Sequence, residues 1–182
     1  MFAIEKIETI IPDRLYAVKW EGYEENEFNR IFRLWKDPEY LENFFFENSH
    51  DLFSGFYRVS TVEEAVMLSI QRAHEFQQYV LDASYKGRET DCHEWNDIFT
   101  ALTSHPQEKR FKTYAPRVRR FSAFWFRLYS IGIENPDSDC NIYIISGGGI
   151  KLTRTMNERP HLDLELTKLN ILKRFLIRHG IL

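Results

Sequence analysis

A stretch of glycines and cations near the C-terminus carries the residue types most suited to chemistry. Three successive glycines, Gly147–Gly149, end an apolar run and precede Lys151, Thr153 and Arg154. Glycine lets a backbone bend sharply or approach a ligand closely. Lys151 and Thr153 are two residues apart, so in an extended segment they share a face that can hold a phosphate and stabilise its developing charge.

Two interpretations fit this stretch. It is either a phosphate-binding segment, or a strand, a bulge and a second strand with a solvated basic edge. It is not a P-loop, because the order Gly-x-x-x-x-Gly-Lys-Ser/Thr is absent and no helix starts directly after Lys151.

Charge divides unevenly along the chain. Residues 1–104 hold 10 basic and 20 acidic residues, whereas residues 105–182 hold 14 basic and 7 acidic ones. Two basic runs precede the glycines in the sequence. They include Lys109, Arg110, Lys112, Arg119 and Arg120. Such a cluster attracts polyanions and is typical of RNA contacts that read no sequence. A solvated loop and a docking site for an acidic partner protein are the alternatives.

The acidic and histidine side chains point to a functional site less strongly than the glycines and cations do. Glu27, Asp163 and Glu165 lie at predicted helix starts, where acids are favourable, so we expect them to be solvated. His105 and His161 lie near the basic motifs in sequence and are candidates for proton transfer. No histidine has the spacing of a metal site, and the sequence predicts neither a metal nor a cofactor.

The elements that position these residues are predicted from periodicity and turn signals. Residues 2–20 alternate around a Pro-Asp-Arg turn and predict a β-hairpin. Helices are expected over 23–36 and from Asp37, a residue suited to the N-cap before a proline, to Phe46. Ser60 and Glu63 have capping-box spacing and predict the start of the longest helix, about 60–86.

The second half of the sequence is predicted to form two strands and a final helix. A short helix is expected over 93–103, then strands from Phe121 to Ile133 and from Cys140 to Ile145, and a helix from Pro160 to His179. The predicted class is α+β, with several helices packed on one antiparallel sheet in a single domain, 1–182.

The region 120–180 resembles a known family. The run Gly-Gly-Ile-Lys-Leu-Thr-Arg-Thr-Met at 148–156, which follows a strand and precedes a helix, is similar to the C-terminal half of the HigB branch of RelE/ParE-type toxins. The preceding strand, with Arg127 followed by Tyr129, resembles the family's strand of an arginine and then an aromatic residue. The resemblance implies a toxin-like core at 59–182 and an N-terminal extension of hairpin and helices at 1–58.

The resemblance also implies an activity. Such toxins belong to type II toxin–antitoxin systems and cut mRNA on the ribosome without a metal or cofactor, and a helix-turn-helix antitoxin holds them inactive. Lys151 and Arg127 would stabilise the phosphate, with Arg154 as a further catalytic cation. RNA contacts would come from Lys109, Arg110, Lys112, Arg119, Arg120, Thr153 and Tyr129. A position in the core is the alternative for Tyr129.

Two other functions remain open at this point. One is a non-catalytic member of the same fold that binds nucleic acid or a protein, and the other is an interaction protein that works through its acidic half. The chain has 2 cysteines and no long apolar run, which predicts reduced cysteines in a cytoplasmic protein without a membrane partner.

Overall fold

The computed structural model describes residues 2–89, 92–96, 98–99, 112–114, 124–153 and 159–182. The strands are β1 (Ile4–Ile11), β2 (Leu15–Trp20), β3 (Lys112–Tyr114), β4 (Phe126–Ile133) and β5 (Ile142–Ile150). The helices are α1 (Glu27–Leu34), α2 (Pro38–Glu47), α3 (Ser49–Leu52), α4 (Val62–Glu89), α5 (His93–Asn96) and α6 (Pro160–Arg178).

The strands form one mixed sheet in the order β1-β2-β5-β4-β3. The α+β class is confirmed, but the predicted antiparallel sheet is wrong because β2 pairs with β5 in parallel, Leu15 opposite Tyr143. The N-terminal hairpin thus joins the same sheet as β4 and β5. A parallel pair needs a long crossover connection. Here more than half of the chain lies between β2 and β5, and no local sequence signal reports such a distant pairing.

Local signals predict several element starts well. Asp37 caps α2, since its side chain accepts hydrogen bonds from the backbone N–H groups of Glu39 and Tyr40. The cap of α4 lies one residue later than predicted: Thr61 accepts from the N–H of Glu64, whose carboxylate accepts from the N–H of Ser60.

Two predicted boundaries are wrong. Strand β5 does not end at Ile145 but runs through Gly147–Gly149 to Ile150. Helix α5 ends at Asn96, whereas the prediction extended it to 103, partly beyond the described residues.

The sheet separates two apolar layers. Helices α1, α2 and α4 cover one face, where the ring of Trp35 stacks on that of Phe126 with a centroid distance of 4.2 Å. Helix α6 covers the other face with Leu169, Leu172 and Leu176. Burial of these large side chains is the main favourable term that fixes both helical layers on the sheet.

A disulfide joins Cys92, just before α5, to Cys140, just before β5, with a Cα–Cα distance of 4.9 Å. The prediction of reduced cysteines is therefore wrong. Hydrogen bonds strengthen the same junction: the amide of Asn96 donates to the carbonyl of Asp139 and accepts from the N–H of Asn141. Disulfides are uncommon in the reducing cytoplasm, so the cytoplasmic location stays a prediction.

Reduction of this disulfide should destabilise the fold. The bond closes a loop with a sequence separation of 48, and loops of that size correspond to about 4 kcal/mol of unfolded-state entropy. We expect reductant to lower the free energy of unfolding by about 2–4 kcal/mol in urea titrations. The double variant Cys92→Ser, Cys140→Ser is the control and should not respond to reductant. An identical unfolding curve for wild type with and without reductant would contradict the pairing.

Candidate functional site

A buried group of charges connects α1 to α6. The ammonium group of Lys168 donates to Glu27 Oε1 at 3.0 Å and to Glu165 Oε1 at 2.8 Å. The side chains of Lys168, Glu27 and Glu165 are only 1%, 0% and 6% exposed. Charges so far from water are tolerated only when partners and hydrogen bonds replace their hydration. We call these residues, together with Arg30, the buried charge cluster.

Arg30 completes the buried charge cluster from α1. Its Nε and Nη2 atoms donate to Glu27 Oε2 at 3.1 and 2.8 Å, so both carboxylate oxygens of Glu27 are bonded to cations. The guanidinium lies 5.1 Å from the ring centroid of Tyr23, within cation–π range. Burial disfavours the charge, but Glu27 more than compensates and raises the pKa of Arg30.

The three glycines of β5 make room for neighbouring groups, and two of them, Gly147 and Gly149, lie against Glu165 of this cluster. A Cβ atom on Gly147 would overlap the carboxylate of Glu165, and one on Gly149 would lie 3.1 Å from Leu162. On the opposite face, a Cβ on Gly148 would lie 3.0 Å from Ile31. The glycines therefore let α6 and α1 approach β5 from both faces, rather than bend the chain around a ligand. None of them has a positive φ.

Glu165 has a perturbed carboxyl group. Its Oε2 atom is buried and has no hydrogen-bond partner among the residues that the structure describes. Burial raises the pKa of Glu165 to about 7, and Glu27 adds to the rise, whereas Lys168 and Arg30 oppose it. The carboxyl group therefore exchanges its proton near neutral pH, which suits proton transfer or a charge-dependent contact.

A cavity of about 200 Å³ opens beside the buried charge cluster. It lies between α1, α2 and α6, and its floor is the β5 backbone at 148–150. Four of its polar or charged lining residues belong to helices α1 and α6: Arg30, His161, Glu165 and Lys168. Its aromatic walls are Tyr23, Trp35, Tyr40 and Phe44. The combination of apolar walls and a few convergent polar groups is typical of small-ligand sites.

His161 is held in a fixed orientation in this cavity. Its Nε2 atom lies 3.0 Å from the carbonyl of Ile150, and its ring meets that of Phe44 edge-on at 5.2 Å. Burial lowers the pKa of His161, although the Ile150 carbonyl opposes that shift. The imidazole is therefore neutral at pH 7, with Nε2–H as the donor to Ile150.

The structure places two of the predicted catalytic cations close together, Arg127 on β4 and Lys151 directly after β5. Arg127 is opposite Gly149 in the β4–β5 ladder, and the N–H of Lys151 extends the ladder by donating to Trp125 at 2.7 Å. Because side chains alternate along a strand, Arg127 and Lys151 lie on the same face of the sheet as α6. Diagonal neighbours of this kind are separated by about 7–8 Å, within reach of one phosphate.

Arg127 is nevertheless engaged in the fold. It is 8% exposed, and its Nη1 atom donates to the carbonyls of Phe124 and Phe126 at 2.6 and 2.7 Å. Tyr129 is fully buried, and burial raises the pKa of its phenol. Its ring is thus in the core, the alternative that the sequence left open, and a base has no access to stack on it.

The structure describes two of the other predicted residues. Thr153 follows β5 in a half-buried position, and Lys112 begins the short strand β3. Five predicted cations, Lys109, Arg110, Arg119, Arg120 and Arg154, lie outside the described residues, as does His105.

The buried charge cluster was missed in the sequence, and the expectation that Glu27 and Glu165 are solvated is wrong. A signal was present for Glu165. It falls on the apolar stripe of α6, three residues after Leu162 and four before Leu169, so the helix turns it into the core. Glu27 carries no such signal, because its burial depends on a lysine 141 residues away.

Comparisons with known proteins identify no relative: no family model, no curated protein and no solved structure matches the chain. Among the described residues, no group of three or more His, Cys, Asp or Glu side chains could hold a metal ion. None of the described helices has the length and apolar character needed to cross a membrane. The resemblance to RelE/ParE-type toxins therefore stays a prediction.

Replacement of Glu165 by glutamine should remove a pH dependence of stability. Because the pKa of Glu165 rises from 4.5 to about 7 on folding, the folded chain binds more protons than the unfolded chain in that window, and stability falls as the pH rises through it. Gln cannot titrate. The stability of Glu165→Gln relative to wild type should therefore increase from about pH 5 to pH 8 in urea titrations.

Asp163→Asn is the matched control, because Asp163 is an exposed acid in the same turn of α6. Its stability relative to wild type should change little over the same pH range. A constant difference between Glu165→Gln and wild type at every pH would show that Glu165 does not titrate in this window.

Proposed function

We propose that this protein is a toxin that cleaves mRNA and thereby inhibits translation. The observation that supports the proposal most is the position of Lys151 and Arg127, two cations that lie close together and share one face. Two cations at that separation can contact the oxygens of one phosphate and stabilise the additional negative charge of its transition state. The similarity of residues 148–156 to the toxin family supports the same activity.

The proposed reaction uses the RNA's own nucleophile. The 2′-oxygen attacks the adjacent phosphorus as its proton leaves to a base, and the bond from phosphorus to the 5′-oxygen breaks as that oxygen gains a proton. The products are a 2′,3′-cyclic phosphate and a 5′-hydroxyl. Lys151 is assigned to the charge of the pentacoordinate phosphorus, because a lysine ammonium group can donate to its oxygens as a compact point charge.

The basic residues at 109–120, with Arg154, are assigned to the RNA and ribosomal backbone. Contacts of this kind depend on charge and carry no sequence information. On this proposal the partners are mRNA, the ribosome and a helix-turn-helix antitoxin, and the protein acts in the cytoplasm.

The engagement of Arg127 favours a second candidate function. A guanidinium that already donates to the carbonyls of Phe124 and Phe126 has fewer N–H groups for a phosphate. This arrangement fits a non-catalytic member of the same fold that binds RNA or a protein through Lys151 and the basic segment. Such a protein would bind RNA with a strong salt dependence and leave it intact.

Induced expression in a bacterial host tests the first function. Wild-type protein should arrest growth and produce cleaved mRNA, and Lys151→Ala should raise the number of surviving colonies by at least about 100-fold, the loss typical of a removed transition-state charge contact. The backbone of Lys151 makes its own hydrogen bonds, so the variant keeps the β4–β5 ladder.

Arg174→Ala is the control, because Arg174 is an exposed cation on α6 that is not among the predicted site residues. It should arrest growth like wild type, and circular dichroism should show that all three proteins fold. Arrest by Lys151→Ala equal to that of wild type would refute the assignment. Folded wild-type protein that binds RNA but neither cleaves it nor arrests growth would select the non-catalytic function.

A further inference from the structure

The cavity beside the buried charge cluster presents one side of a fixed guanidinium. Arg30 uses Nε and Nη2 to bond Glu27, and Nη1 has no hydrogen-bond partner among the residues that the structure describes. The side chain is 21% exposed and lines the cavity. Because Glu27 and the ring of Tyr23 fix the guanidinium plane, its remaining N–H groups can bind an acceptor with little loss of conformational freedom.

The rest of the cavity suits a flat ligand of limited size. Tyr40, Phe44 and Trp35 supply aromatic walls, and the glycine backbone of β5 supplies a floor without side chains. A dry cavity of about 150 Å³ can hold one benzene molecule. The volume of about 200 Å³ therefore accommodates one six-membered ring and a small substituent.

The charges of the cavity favour a negative substituent. Lys168 and Arg30 are balanced by Glu27 alone when Glu165 carries its proton, so the cluster then has one positive charge in excess. The raised pKa of Glu165 places that state below about pH 7. His161 adds no negative charge that would compete with an anion; burial lowers its pKa, and its Nε2 atom is already bonded to Ile150.

We propose that this cavity is a binding site for a small aromatic carboxylate, whose ring lies between the aromatic walls and whose carboxylate accepts hydrogen bonds from Arg30. Charge-assisted hydrogen bonds from a guanidinium to a carboxylate are among the stronger polar contacts in proteins. Lys151 is not among the residues that line the cavity, and the proposal does not depend on RNA cleavage.

Three probes of nearly equal shape test the charge preference. Benzoate, benzamide and benzamidine place an anion, a neutral amide and a cation on the same ring. In titrations followed by NMR of the ¹⁵N-labelled full chain at pH 6, benzoate should give saturable shifts at Arg30, Gly148, Gly149 and Glu165. Benzamide should bind at least tenfold more weakly and benzamidine more weakly still. Tighter binding of benzamidine than of benzoate would overturn the proposal.

Variants locate the site without disturbing the buried charges. Leu164 lines the cavity and is 44% exposed, so Leu164→Trp should fill the entrance and weaken benzoate binding at least tenfold. Ile177→Trp is the control, since Ile177 is 48% exposed on the same helix and is absent from the lining. Equal benzoate affinity in the Leu164→Trp and Ile177→Trp proteins would overturn the site, as would the absence of saturable shifts in wild type.

The role of the guanidinium is tested by Arg30→Gln, which keeps a hydrogen bond to Glu27 possible but removes the charge. Binding of benzoate should weaken about tenfold, and binding of benzamide should change less. If Arg30→Gln does not fold, the Leu164→Trp pair and the three probes still decide the proposal. Growth arrest by the Leu164→Trp protein is expected to equal that of wild type, so failure of the cavity proposal is distinguishable from failure of the RNA-cleavage proposal.

Discussion

The contact between Lys168 and two buried carboxylates is the constraint on which the rest of the structure depends. Lys168 on α6 bonds Glu27 on α1, so one ammonium group links helices that cover opposite faces of the sheet. Gly147 leaves room for this contact, because a Cβ atom there would overlap the Glu165 carboxylate and lie 3.5 Å from Lys168 Cδ. A buried ion pair adds little net stability over an apolar pair. Its effect here is positional, because leaving any one of its charges unpaired is costly.

The same strand links the two proposed sites. Gly147 and Gly149 make room for Glu165, Gly148 and Gly149 form part of the floor of the cavity, and two residues later the chain presents Lys151 on the α6 face. Rigid support of this kind is what a site for phosphate chemistry needs, since a displaced cation loses most of its effect on a transition state. Strand β5 thus supports both the cavity and Lys151. A ligand bound in the cavity would contact the β5 backbone that positions Lys151.

Whether a feature could be predicted from the sequence depends on how far apart along the chain its interacting residues lie. Signals within one turn were informative: Asp37 before a proline marked a helix start, and Pro160 marked another. The parallel pairing of β2 with β5 was not predictable, because it depends on contacts between distant segments. The three glycines were interpreted through backbone flexibility, whereas their cause is the space that Glu165 and Ile31 occupy. Lys151 and Arg127 were assigned to one site only through the family resemblance, and the carbonyls that engage Arg127 left no trace in the sequence.

A double-mutant cycle between Glu27 and Lys168 tests the central claim most directly. The free energies of unfolding of Glu27→Gln, Lys168→Met and the double variant are compared with that of wild type in urea titrations. We predict that the two single changes are not additive and that their coupling energy is about 2 kcal/mol or more, because each single change removes one of the two opposite charges that the remaining buried charge contacts. Additivity to within about 0.5 kcal/mol would contradict the account and would mean that apolar packing alone fixes α1 and α6 on the sheet.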